Sequence, residues 1–175
     1  MTLPSHTPVT VKTLVLIRHA KSSWAEPQQA DFDRPLNDRG RTDAPAMGER
    51  LKRLDIIPDL IVSSTARRAA QTAKRIAEGV GYDPAKIQWI EKLYHASPST
   101  MEDVVAGLDD ALQTVFLVSH NNGLTHYANS FSPQFSTDNV PTCGCVGCRA
   151  DIGSWSDFPA ATKTIFLYEY PKKPA

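Results

Sequence analysis

Arg18 and His19 directly follow the apolar run Thr13-Leu-Val-Leu-Ile17, and Ser119, His120 and Asn121 close a second apolar run over 114–118. A strand ending in Arg-His brings a cation and an imidazole to one point. A neutral imidazole nitrogen can attack phosphorus in line and form a phosphohistidine that water then hydrolyses, which divides one difficult displacement into two easier ones. Arginine presents a planar fork that matches phosphate oxygens and keeps its charge at any relevant pH. A lone strand-end histidine is an ordinary structural residue, so the weight of the pair comes from its company. Ser64 to Arg68 follow a third run, and Tyr94 and His95 a fourth. Two histidines and two or more arginines at one rim would make a compact anion site with a nucleophile inside it. Arginines repel cations, so the same cluster does not suit a metal ion.

Strand-like and helical stretches alternate along the chain, the pattern of βα units on a largely parallel sheet covered on both faces. Strands are predicted near 12–17, 59–63, 86–90, 114–119, 142–150 and 163–168. In such sheets the crevice lies beyond the carboxyl ends of the strands, where residues distant in sequence converge. A helix is predicted from the N-cap Asn37 to about 54, with Pro45 kinking it or postponing its start. A second is predicted over 66–78, closed by Gly79 and Gly81. A third is predicted over 100–112, with Ser99 as cap and Glu102 in the capping-box position, and a short fourth after Asn122. The polar stretch 132–141 reads as a loop. The domain reading is a flexible segment over 1–11, one domain over 12–170 and a tail over 171–175.

The runs Leu16-Ile-Arg-His-Ala-Lys-Ser-Ser-Trp24, Asp33-Arg-Pro-Leu-Asn-Asp-Arg-Gly40, Ser63-Ser-Thr-Ala-Arg-Arg-Ala-Ala-Gln-Thr72 and Val118-Ser-His-Asn-Asn-Gly123 resemble the histidine phosphatase superfamily in order and spacing. Within it they are most similar to the SixA-like phosphohistidine phosphatases. The resemblance covers about 13–123 and continues more weakly through Pro141-Thr142 and Trp155. It implies a phosphoglycerate-mutase-like fold: an α/β three-layer sandwich, a mainly parallel central sheet with helices on both faces. It also implies His19 as nucleophile, Arg18 and Arg68 as phosphoryl ligands, His120 as the second pocket histidine, and no cofactor or metal. The pattern Arg-Ala-x-x-Thr selects Arg68, and Arg67 would point about 100° away on the same helix.

Arg34, Ser22, Ser23 and His95 are candidate substrate-binding residues. Arg34 has a bland alternative, a loop ion pair with Asp31 or Asp33. Trp24 either walls the pocket or packs its loop. Relatives that cleave phosphate esters carry a glutamate after the third strand to protonate the leaving group. Here that segment reads Glu91-Lys-Leu-Tyr-His95, which puts His95 at the acid position and displaces Glu91. A phosphoramidate, whose leaving group is a nitrogen base, depends less on such an acid. The preferred substrate is therefore phosphohistidine on a protein. The rivals are a small phosphate ester, turned over by a phosphatase or a mutase, and a non-catalytic phosphate-binding module.

Cys143, Cys145 and Cys148 are the only cysteines, one short of a closed zinc site, and read as small buried residues. His6 and His126 lack motif context and read as structural or solvated. The 175 residues carry 19 basic and 19 acidic side chains, so no global field gathers nucleic acid or anionic lipid. No stretch approaches the roughly 18 apolar residues of a membrane span, and 1–10 lacks a signal-peptide core. A cytoplasmic location is expected, without nucleic-acid or membrane partners.

Overall fold

The computed structural model describes residues 8–174. Six strands form one mixed sheet in the order β3-β2-β4-β1-β5-β6: β1 Thr10–Arg18, β2 Leu60–Ser63, β3 Gln88–Trp89, β4 Thr114–Ser119, β5 Cys145–Ile152 and β6 Thr164–Glu169. The first four run parallel, and β5 and β6 are antiparallel additions at one edge. Four helices cover the sheet: α1 Asp38–Arg53, α2 Arg67–Val80, α3 Pro98–Ala106 and α4 Gly123–Asn129. No described helix is long and apolar enough to cross a membrane.

Successive side chains of a strand point to opposite faces, and β1 uses both for burial. Leu14 and Leu16 pack with Val62, Leu117, Tyr127, Trp155 and Phe158 on the α3 and α4 side. Val15 and Ile17 pack with Ile61, Phe116 and Val118 against α1 and α2. A strand buried on both faces reads as a continuous apolar run, which is why its carboxyl end was legible.

Several boundaries differ from expectation. β1 begins at Thr10, because Thr10 and Val11 pair with Ile152 and Asp151 of β5 and so belong to the sheet rather than to an N-terminal segment. The rest of that segment, 1–7 with His6, lies outside the described residues. Asn37 caps α1 by accepting the Gly40 N–H, but Pro45 lies within the helix and does not postpone its start. Gly79 does not close α2. It lies inside the helix, where a Cβ would meet the Pro45 carbonyl oxygen at 2.5 Å, so α1 and α2 cross there at backbone distance. Gly81 alone, at φ 86°, is the left-handed cap. Ser97, not Ser99, caps α3, with Pro98 in the first turn, where its missing N–H costs nothing. That helix stops at Ala106, short of the expected 112. The third strand shrinks to two residues because a 3-10 turn occupies Pro84–Lys86.

Candidate active site

The register of the parallel strands assembles the site. Arg18 pairs with Ser119 across β1 and β4, so His19 and His120, one residue further on, emerge side by side with ring centroids 5.2 Å apart. The His19 N–H donates to the Ser119 carbonyl at 3.1 Å, extending that pairing past the strand end. Ser63 pairs with Val118, which sets Ser64 beside His120. Arg68 then projects from the first turn of α2, 2% exposed, while Arg67 is exposed.

Hydrogen bonds fix which nitrogen of each histidine faces the cleft. His19 Nδ1 lies 2.8 Å from the Ala20 carbonyl oxygen, so Nδ1–H donates there and Nε2 keeps its lone pair. Arg68 Nε–H donates to that lone pair at 3.3 Å. Ser64 Oγ accepts the Ala66 N–H and forms a hydrogen bond with His120 Nε2 at 2.7 Å. His120 Nδ1 and Arg18 Nε are buried and have no hydrogen-bond partner among the described residues.

Burial is the largest influence on His19, reinforced by the charges of Arg68, Arg18 and Arg34 and opposed by the Ala20 hydrogen bond; its pKa is pulled down to about 3. Burial also dominates at His120, joined by His19, Arg68 and His95 and opposed by Asp31, and lowers it to about 2. Both rings are neutral at pH 7. A neutral imidazole whose Nε2 carries a lone pair toward the cleft can act as a nucleophile.

The cleft around these groups has a volume of about 320 Å³. Arg18 is held by the far end of the 132–141 loop, its NH1 donating to the Val140 carbonyl at 2.8 Å and to Asn139 Oδ1 at 3.4 Å. Asn121 reaches the same Asn139 oxygen at 2.7 Å. Thr72, the threonine of the arginine motif, accepts the Ala20 N–H at 2.9 Å and donates to the Arg68 carbonyl at 2.7 Å, which ties α2 to the chain beside His19. Gly40 allows the equivalent approach from α1, since a Cβ there would overlap the Lys21 carbonyl oxygen at 2.2 Å.

The other predicted residues divide. Arg34 and Ser22 line the cleft and bond to each other at 2.8 Å. Arg34 also takes its bland role, an ion pair with Asp31 at 3.1 Å, and its guanidinium stacks 3.6 Å over the Trp24 ring at the rim. Ser23 does not line the cleft. Its hydroxyl accepts the Ala25 N–H within its own loop, and only its carbonyl touches Arg34. His95 lines the cleft from a left-handed backbone at φ 50°. Glu91 is exposed at the start of a 3-10 turn and is absent from the cleft lining. His126 is exposed on α4.

Sequence reasoning missed Asp31 as a site residue and treated it only as a partner for Arg34. It placed Tyr94 and Ser64 at the strand ends but gave neither a role. Asp31 lies in a 3-10 turn, Asp31–Asp33, between β1 and α1, and accepts from Arg34, Arg68, Tyr94 and His95 at once. Burial alone would raise its pKa. The Tyr94 hydrogen bond, the Arg68 charge and hydrogen bond and the His95 hydrogen bond prevail and hold it well below the usual carboxylate range. Only the position of the turn could have signalled it, three residues before Arg34.

The three thiols do not converge. Cys143 and Cys145 lie in the core beneath α1 and α2, and Cys148 lies in the opposite one. Burial pushes Cys143 and Cys148 up to about 12, and Cys145 well above its ordinary value. Cys143 serves the site through its backbone, since its N–H, on a left-handed backbone at φ 60°, lies 3.1 Å from both the Arg18 and His19 carbonyl oxygens.

The family model of the histidine phosphatase superfamily (branch 1) matches residues 14–103, more than half of the chain. A 2,3-bisphosphoglycerate-dependent phosphoglycerate mutase of Bifidobacterium longum is 37% identical over 146 residues, which are 76% of this chain and 59% of the mutase. A structure from Agrobacterium tumefaciens assigned as the phosphohistidine phosphatase SixA has a TM-score of 0.74 at 27% identity, covering 91% of this chain and 99% of that one. The protein histidine phosphatase SixA in complex with tungstate has a TM-score of 0.77 at 16% identity, covering 91% and 97%. At that identity the likeness is one of fold.

Proposed function

From the premise that this chain belongs to branch 1 of the histidine phosphatase superfamily, we propose that it hydrolyses a phosphoryl group through a covalent intermediate on His19. The observation that carries this reading is the pairing of a pinned, neutral His19, with Nε2 facing the cleft, with buried donors around it. Nε2 attacks phosphorus in line and the bond to the leaving group breaks. Arg68, Arg18 and His120 bond the equatorial oxygens, stabilising charge that grows in the transition state. Water then attacks the phosphohistidine, the P–N bond breaks, and phosphate departs with His19 regenerated.

The preferred substrate is phosphohistidine on a protein. The leaving group of such a donor is a nitrogen base, and the cleft presents His95 rather than a glutamate near that side. The neighbouring SixA structures support the same preference by analogy. A cytoplasmic site of action belongs to this proposal. A panel of phosphohistidine protein, phosphoramidate, aryl phosphate and alkyl phosphate tests it. Phosphohistidine protein should give the highest kcat/KM. A small phosphate ester or a phosphoglycerate isomerisation turning over faster would move the assignment toward the mutase relative.

A further inference from the structure

The Asp31 carboxylate is bonded by the side chains on which the proposed chemistry depends. Its Oδ2 accepts from Arg68 NH2 at 3.0 Å, from the Tyr94 hydroxyl at 2.7 Å and from His95 Nε2 at 3.1 Å. Its Oδ1 accepts from Arg34 Nε at 3.2 Å and lies 3.1 Å from Arg34 NH2. The Asp31 backbone carbonyl takes Arg68 NH1 at 2.6 Å. With Nε on His19, every nitrogen of Arg68 is engaged within the protein. A phosphoryl group seated against His19 Nε2 needs some of the same donors. Two anions cannot share them without repulsion.

We propose that Asp31 sets the phosphoryl affinity of the cleft, as a built-in carboxylate that competes with the phosphoryl group for Arg68 and Arg34. The proposal rests on reading those arginines as phosphoryl ligands. The apparent affinity of any ligand is its intrinsic affinity scaled by the fraction of molecules whose seat is open, and Asp31 lowers that fraction for every anion. The factor is the same for every phosphoryl ligand, and it matters most for inorganic phosphate and the smallest esters, which bind through the phosphoryl group alone. A substrate with further contacts at the rim, where Trp24 is 73% exposed, starts from a higher affinity and still binds after the same reduction. Asp31 thus weakens inhibition by the phosphate product while a protein-borne phosphoryl group remains able to bind. Its side chain is 41% exposed, so it can swing clear without opening the core.

The test compares Asp31→Asn and Asp31→Ala with the wild-type chain, using inorganic phosphate as inhibitor, phosphoramidate as small substrate and a phosphohistidine protein as large one. Both variants should lower the inhibition constant of phosphate by about tenfold or more, since amide and methyl bind guanidinium far more weakly than carboxylate does. KM for phosphoramidate and KM for the protein substrate should fall by a similar factor. Thermal unfolding of each variant reports whether it is folded, and the two replacements together guard against loss of one. Phosphate inhibition that is unchanged or weaker in folded variants overturns the proposal. So does a large loss of kcat concentrated on the poorest leaving groups, which would make Asp31 the proton donor instead. Arg68→Ala separates the layers: if it does not weaken phosphate binding, the underlying assignment of the seat has failed rather than the competition.

Discussion

Arg68 donates its Nε–H to His19 Nε2 across 3.3 Å, so the arginine expected to bind phosphoryl oxygens already marks the lone pair that attacks phosphorus. The contact exists because α2 starts four residues after β2 and buries Arg68 against the end of β1. Arg68→Ala is expected to lower kcat/KM by about 10²–10³, the usual consequence of losing one transition-state donor. Arg68→Lys should not restore it, because an ammonium cannot reproduce the planar fork. Arg67→Ala, one residue earlier and exposed, should leave the rate near wild type. A comparable loss at Arg67 would contradict the assignment.

His95 and Glu91 make opposite predictions as proton donors. His95 lines the cleft and Glu91 does not. His95→Asn should therefore slow alkyl phosphates most and phosphoramidates least, while Glu91→Gln should be silent across the series. Rates plotted against leaving-group pKa decide this. A slope altered by Glu91→Gln and untouched by His95→Asn would reverse the two roles.

Stability should fall with acid in a defined window. His19 and His120 are held near 3 and 2 in the fold against 6.5 for an unperturbed histidine, so below pH 6.5 the unfolded chain binds more protons than the native one. The stability these neutral rings allow is complete above about pH 6.5 and is lost as pH falls toward 3, with a slope of about 1.4 kcal/mol per pH unit for each histidine. Urea denaturation between pH 4 and 8 measures it. His120→Gln should flatten the dependence, and an unchanged slope in that variant would show that His120 does not titrate in this way.

Three of the strand-end motifs were legible because β1, β2 and β4 are apolar on both faces and stop where the chemistry begins. The parallel register did the rest, setting Arg18 opposite Ser119 and thus His19 beside His120. What stayed hidden depends on distances that no local pattern encodes. Gly79 and Gly81 look alike as helix stops, and only the crossing of α1 over α2 makes Gly79 a contact residue. Ser97 and Ser99 are equivalent caps by composition, and Pro98 decides between them. Asp31 was overlooked because its four side-chain partners come from the segment around Arg34, from α2 and from the turn after β3. Ser23 was included because it follows His19 closely in sequence, although its hydroxyl turns back into its own loop.

Replacing Cys143, Cys145 and Cys148 together by serine or alanine should leave kcat within a few-fold of wild type, since the thiols are divided between two cores. Activity should also survive exhaustive chelation. Any destabilisation should trace to the three buried thiols, where cavities or unpaired hydroxyls cost about 1–3 kcal/mol each. Unfolding on chelation would instead indicate a structural metal.

The most direct measurement is to trap the phosphoenzyme. Wild-type protein mixed with phosphoramidate, quenched in alkali within the first turnover and digested should carry one phosphoryl group, and fragmentation should place it on His19. The isomer should be the Nε2-phosphohistidine, because Nδ1 is committed to the Ala20 carbonyl. His19→Ala should abolish both the adduct and turnover. A phosphoryl group on His120, or turnover above about a thousandth of wild type in folded His19→Ala, would contradict covalent catalysis by His19.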